Sequence, residues 1–179
     1  MAIDEIVLPF TNPDTEWVLG RAVRKKGGET SHAMLQAALG IALSKWAGDR
    51  ARALMGCLYR VAPPGEPRRP LSPDVSVVWN DRLRELSDED YEIPPFAPDV
   101  VVEITSRYEP RANIDHKVGV YLSAETQLAI VVDPKARSIE LHDRDGVRLL
   151  GDRDTLTHPA LPGFELDLAT FFRAADIRR

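Results

Sequence analysis

The sequence has one cysteine and no long hydrophobic run, and each scarcity excludes a class of protein. Cys57 has no second cysteine, which excludes an internal disulfide and a multi-cysteine zinc site. No apolar run approaches the roughly 18 residues of a membrane span. The opening MAIDEIVLPF carries acids where a secretory signal needs a basic start. We therefore expect a cytoplasmic protein with no membrane partner.

Positive charge is also scarce, since the formal net charge is −5. This argues against a general nucleic-acid coat, whose affinity comes from neutralised phosphates. It leaves a nuclease open, because metal-dependent nucleases must concentrate carboxylates. The two basic patches, residues 21–26 and 65–69, either hold a nucleic-acid backbone or are solvated surface. The sequence also lacks a His-x-x-x-His zinc spacing and a glycine-rich phosphate loop.

The order of predicted elements favours one α+β domain over residues 1–179, with a central mixed β-sheet flanked by helices. A hairpin is predicted over 15–25 with Gly20 at its turn, and an amphipathic helix over 31–49, capped by Thr30 or Ser31 and ended by Gly48. Strands are predicted at 52–61, 74–79 and 99–105, with a loop at 62–72 and a polar connection containing one helical turn at 80–97. A helix is predicted at 114–124, with Asn113 or Asp115 near its cap, followed by a doubly covered strand at 127–134. A hairpin at 138–150 and a final strand and short helix over 161–172 complete the prediction.

The run PDVVVEITS at 98–106 places a glutamate, Glu103, at the centre of a strand rich in β-branched residues. A mid-strand glutamate is costly to desolvate unless it is paired or bound to a metal. Alternation puts Asp99 on the same face, but four residues of strand separate the two Cα atoms by roughly 13 Å. Both acids can therefore reach one metal only if the strand bends sharply, and Glu103 needs a partner from another strand.

Asp74 is the natural partner, because it opens the preceding strand in a second Pro-Asp-Val run. Strands adjacent in sequence are usually neighbours, about 4.8 Å apart, so two acids on one face can hold one Mg²⁺. The alternative is that Asp74 and Asp99 merely begin strands after prolines.

Lys117 lies on the packed side of the helix that follows the Glu103 strand, three residues after Ile114 and four before Tyr121. A lysine there either extends outward to water or meets a buried acid. Two acids and a lysine suit metal-assisted phosphodiester hydrolysis, in which the lysine orients water or stabilises charge on the phosphate.

These residues resemble the Uma2 family, which is placed in the PD-(D/E)xK restriction-endonuclease-like superfamily. The resemblance covers most of the chain and implies a restriction-endonuclease-like core preceded by an N-terminal hairpin. It implies a catalytic set of Asp74, Glu103 and Lys117, with Asp99 and His32 as contributors. The matching segments are TEWVLGRAVRKKGGETSH, SPDVSVVW, APDVVVEITS, the Lys117 helix with Tyr121, AIVVDP and GDRDTLTHPALPGFELDL.

Two departures from the family pattern stand out. The superfamily lysine usually follows the acid by two residues, but position 105 is threonine. The resemblance implies that the lysine has moved to the helix as Lys117. Asn113 also stands where an acid commonly opens that helix.

Four further residues are candidates with structural alternatives. His32 either reaches the site or caps the long helix, and Ser106 is a candidate hydrogen-bond donor to the site. Arg107 and Arg111 either contact substrate phosphates or belong to a solvated loop.

The leading hypothesis is a Mg²⁺- or Mn²⁺-dependent endonuclease that acts on DNA in preference to RNA. Asp74 and Glu103 hold the metal and Lys117 positions water. A homodimer fits this hypothesis, because nuclease folds often cut two strands in pairs. The alternative is a non-catalytic binding or assembly module in which the acids only shape a polar cleft.

Overall fold

The computed structural model describes residues 4–9, 14–25 and 29–174. The strands are β1 (Thr15–Val18), β2 (Arg21–Arg24), β3 (Ala51–Met55), β4 (Tyr59–Val61), β5 (Arg69–Leu71), β6 (Val75–Trp79), β7 (Val100–Ile104), β8 (Leu128–Asp133), β9 (Ser138–Asp143), β10 (Gly146–Leu150), β11 (Thr155–His158) and β12 (Leu161–Asp167). The helices are α1 (Thr30–Ala47), α2 (Asn80–Arg84), α3 (Asp88–Glu92), α4 (Arg111–Ser123) and α5 (Leu168–Ala174).

A six-stranded mixed sheet in the order β10-β9-β8-β7-β6-β3 forms the centre of the fold. Its parallel pair is β7 with β8, and α4 is the crossover between them. The other neighbouring pairs in this sheet are antiparallel. The predicted α+β class is confirmed, including the mixed sheet, the flanking helices and the N-terminal hairpin of β1 and β2.

Both faces of the central sheet are covered. Val100, Val102 and Ile104 of β7 face the core formed with α1 and α5, whereas Val101 faces the core formed with α4. The prediction that β8 is a doubly covered strand is confirmed, since its residues alternate between the same two cores. Any charged group on β7 is therefore enclosed, whichever face it occupies.

The helix α1 packs through residues spaced by about one turn, and its core positions are Leu35, Leu39 and Leu43. Glu29 occupies the N-cap position without a side-chain cap bond, so the predicted Thr30 or Ser31 cap is wrong. Gly48 ends the helix as predicted. No helix among the described residues is long and apolar enough to cross a membrane.

Four predicted segments differ from the structure. The single strand over 52–61 is wrong, because the chain bends at Gly56, where φ is 60°, and β3 and β4 join different sheets. The predicted loop over 62–72 contains β5, and the 80–97 connection contains two short helices. The helix α4 begins at Arg111 after an N-cap at Pro110, ahead of the predicted Asn113 or Asp115.

Truncation of one α1 core residue tests this packing. We expect Leu39→Ala to lower the free energy of unfolding by about 2–5 kcal/mol, because Leu39 is 0% exposed and its loss leaves a cavity. The matched control is Ile41→Ala on the same helix, where the side chain is 55% exposed and the change should stay near 0.5 kcal/mol. Urea denaturation followed by circular dichroism measures both. Equal losses in the two variants would contradict the orientation of α1.

Candidate active site

Asp74 and Glu103 are brought together by the pairing of β6 with β7. Val75 pairs with Val102, so Asp74 and Glu103 occupy the next opposed position of this antiparallel ladder. Opposed residues of neighbouring strands point to the same face. The predicted adjacency of the two acid-bearing strands is confirmed.

Asp74 is held by hydrogen bonds from three directions. Its carboxylate accepts from the backbone N–H of Ile104 at 2.7 Å, from Lys25 Nζ at 2.9 Å, and from His32 Nε2 at 3.1 Å. Gln36 donates to its backbone carbonyl at 2.8 Å. Burial raises the pKa of Asp74, but the Lys25 ammonium and His32 outweigh burial and hold the pKa below its usual range.

Glu103 is 1% exposed and is held by α4. Lys117 Nζ donates to Glu103 Oε2 at 2.8 Å, and the Tyr121 hydroxyl donates to Oε1 at 3.4 Å. Lys117 and Tyr121 are four residues apart, so one face of the helix supplies both donors. Burial, followed by the charge of Glu103, raises the pKa of Tyr121 well above its ordinary value, which keeps its hydroxyl a donor.

The Lys117 ammonium is 0% exposed and meets three carboxylates. Glu103 lies at 2.8 Å, Glu109 of the loop before α4 at 3.1 Å, and Glu16 of β1 at 3.5 Å. Burial lowers the pKa of Lys117, but these carboxylates raise it well above the ordinary value. Lys117 is therefore a cation, and it meets the buried acid instead of extending to water.

Acids outnumber lysines at this centre. Burial, together with the charges of Asp74 and Glu16, raises the pKa of Glu103 to about 8 despite the two nearby ammonium groups. The charged groups concerned are Glu16, Asp74, Glu103, Glu109, Lys25 and Lys117.

A cavity of about 260 Å³ opens beside these residues. Asp74, Lys25 and His32 line it together with Glu16 and Glu109, whereas Glu103 and Lys117 lie behind its wall. Its rim includes Arg21, Arg24, Ser106 and Tyr108. A larger cavity of about 600 Å³ lies among β9, β10, β11 and β12 and contains none of the predicted site residues.

Two sequence candidates lie apart from this cavity. Asp99 accepts hydrogen bonds from the backbone N–H of Trp79 at 3.0 Å and from Arg82 at 2.9 Å, at the opposite end of β7 from Glu103. These contacts anchor the start of the strand, which agrees with the structural alternative for Asp99. Arg111 pairs with Asp115 at 2.6 Å and with both carboxylate oxygens of Glu140, so the predicted phosphate contact is not supported by its position.

The remaining candidates lie at or near the cavity. His32 faces Asp74, and its Nδ1 is buried without a hydrogen-bond partner among the described residues. Ser106 lines the rim and accepts a hydrogen bond from the Tyr108 backbone N–H. Arg107 is 73% exposed, pairs with Glu29, and lines a neighbouring cavity of about 550 Å³ with Ser106.

The sequence predictions missed Lys25, Glu16 and Glu109. Lys25 belongs to the 21–26 basic patch, of which Lys26 lies outside the described residues. Glu16 carried a usable signal, because it alternates with Val18 on the inward face of the hairpin. In the other basic patch, Arg69 is buried and pairs with Glu66, which gives that patch a structural role.

The chain matches a protein-family model, and its fold is similar to that of a solved structure. The model of the Uma2 family, described as "Putative restriction endonuclease", matches residues 6–169. The fold is similar to a crystal structure of a "putative nuclease belonging to DUF820" from Anabaena variabilis ATCC 29413, with a TM-score of 0.83, 19% identity and 94% of each chain covered. No protein with a curated description matches the sequence.

The raised pKa of Glu103 predicts a pH-dependent stability. An acid whose pKa rises on folding, here from the ordinary value near 4.5 to about 8, stabilises the fold at low pH, and this contribution is lost as pH increases through 8. We expect wild-type stability to fall relative to Glu103→Gln between pH 5 and pH 8.5, because glutamine does not titrate. Urea unfolding in the presence of a chelator measures the difference, and parallel pH profiles would contradict it.

Proposed function

The chain belongs to the Uma2 family, and from this membership we propose that it is a metal-dependent nuclease that hydrolyses phosphodiester bonds of nucleic acid. The observation that carries the proposal is the opposed pair of Asp74 and Glu103, each held by a lysine, with Asp74 and its lysine lining a cavity. DNA is the preferred substrate, since the family is described as "Putative restriction endonuclease" and restriction endonucleases cut DNA. We also propose that residues 1–179 form a single domain, and that two copies of the chain form a homodimer that cuts both strands of a duplex.

The donor set fits Mg²⁺ or Mn²⁺ better than a cation that needs a complete protein cage. No group of three or more His, Cys, Asp or Glu side chains within the described ranges is arranged to hold a metal. Mg²⁺ typically keeps several waters and is held by one or two carboxylates with substrate phosphates. Asp74 and Glu103 supply two such carboxylates at opposed positions of neighbouring strands.

The chain's own groups prepare the two carboxylates for this role. The Ile104 N–H fixes Asp74, and Lys117 with Tyr121 fixes Glu103 from the helix side. Two hydrogen-bonded strands of the central sheet position both acids, so the separation of the acids is set by the sheet and not by loops. When bound, the cation supplies Lewis-acid polarisation of a phosphoryl oxygen. Lys117 contributes as a positioning residue, through its contact with Glu103.

A metal titration tests the shared site. We expect saturable Mn²⁺ binding in the wild type that Asp74→Asn or Glu103→Gln weakens at least about 100-fold, because each removes one carboxylate charge from the site. The matched control is Asp99→Asn, since Asp99 lies at the other end of β7. Isothermal calorimetry measures all four proteins. Equal affinity in the wild type and in Glu103→Gln would contradict the site.

A cleavage assay tests the reaction. We expect the wild type with Mn²⁺ to cut plasmid DNA in preference to single-stranded RNA, and Glu103→Gln to lose at least about 100-fold of this activity. Asp99→Asn should remain active. Gel electrophoresis of plasmid, single-stranded DNA and RNA substrates provides the measurement. Nucleic-acid binding without cleavage of any substrate would instead favour the binding module.

A further inference from the structure

The two lysines of the site differ in their surroundings and in their access to the cavity. An ammonium group has three N–H donors. Lys117 faces three carboxylates, Glu103, Glu109 and Glu16, at 2.8, 3.1 and 3.5 Å. Its side chain is 0% exposed and does not line the cavity. Lys117 therefore lies within ion-pair distance of three carboxylates and is enclosed away from the cavity in which a substrate would bind.

Lys25 has a donor left among its described contacts. Its Nζ donates to the Ser72 carbonyl at 2.6 Å and to Asp74 Oδ1 at 2.9 Å, which uses two of its three protons. The side chain is 18% exposed and lines the 260 Å³ cavity. Because burial is incomplete and one N–H is uncommitted, Lys25 can donate to a group inside the cavity without giving up either anchor.

The surroundings of Lys25 indicate what that group is. Arg21, Arg24 and His32 line the same cavity, so donors approach it from β2 and from the start of α1. Glu16 and Glu109 also line it, but both carboxylates lie next to the Lys117 ammonium. A phosphate diester carries one negative charge and several acceptor oxygens, which matches a single charged donor supported by neighbouring cations.

We propose that Lys25, and not Lys117, is the lysine that contacts the substrate phosphate. This inference rests on the proposed nuclease function and assigns the phosphate-binding role within that site. Lys25 donates its third N–H to a non-bridging phosphate oxygen while Asp74 and the Ser72 carbonyl hold the ammonium in place. Lys117 remains the buried counter-ion of Glu103. Lys25 thus contacts the substrate, and Lys117 positions the acid.

The experiment compares Lys25→Met, Lys25→Arg and Lys117→Met with the wild type. Binding of a fluorescein-labelled 12-nucleotide single-stranded DNA is followed by anisotropy at several salt concentrations in the presence of a chelator. We expect Lys25→Met to weaken binding roughly tenfold and to reduce the salt slope by about 0.7, the value for one lost phosphate contact on single strands. Lys25→Arg, which keeps a cation beside Asp74, should restore the salt slope.

The control is Lys45→Met, an exposed lysine in the last turn of α1, which should bind as the wild type does. Circular dichroism establishes that each variant is folded, and Lys25→Arg keeps the test valid should Lys25→Met fail to fold. Cleavage of the preferred substrate with Mn²⁺ is measured in parallel. The wild-type result in that assay reports on the nuclease function, independently of Lys25.

The outcomes separate the two proposals. Wild-type cleavage with unchanged binding and salt slope in Lys25→Met would overturn the role of Lys25 and leave the nuclease function standing. A changed salt slope in folded Lys117→Met, with none in Lys25→Met, would overturn it as well. Weaker binding in Lys25→Met without a change in slope indicates a structural role and also overturns it. Absence of wild-type binding and cleavage overturns the nuclease function itself.

Discussion

The buried contact between Lys117 and Glu103 is the interaction on which the arrangement of the site depends. Glu103 lies in a strand covered on both faces, where an uncompensated carboxylate is strongly unfavourable. Lys117 compensates it at 2.8 Å, and this requirement fixes the rotation of α4 against the sheet. Glu16 and Glu109 then complete the environment of the same ammonium, so the N-terminal hairpin and the loop before α4 are drawn to one point.

A second cation extends this arrangement to the surface. Lys25 links the hairpin to Asp74, and His32 links α1 to the same carboxylate. The acids therefore hold together elements from both sides of the sheet. Because Glu16, Asp74, Glu103 and Glu109 outnumber the two lysines, the lysines compensate the charge of these acids only in part.

The sequence was informative wherever the relevant contacts follow from one strand or one helix. The alternation of residues in β7 singles out Glu103, and the apolar stripe of α4 singles out Lys117. The second Pro-Asp-Val run indicates that Asp74 lies on the strand next to Glu103. Lys25 escaped prediction because its partner lies 49 residues away and no local periodicity reports such a contact. For the same reason the sequence does not show that Glu140 lies beside Arg111.

The crossover from β7 through α4 has a consequence for the order in which the chain assembles. Glu103 and Lys117 are only 14 residues apart, whereas Lys25 and Asp74 are 49 apart. Closing the longer loop costs about 1 kcal/mol more chain entropy, and contacts close in sequence form first on average. We therefore expect the β7–α4–β8 unit to form its Lys117–Glu103 contact before the N-terminal hairpin docks onto it.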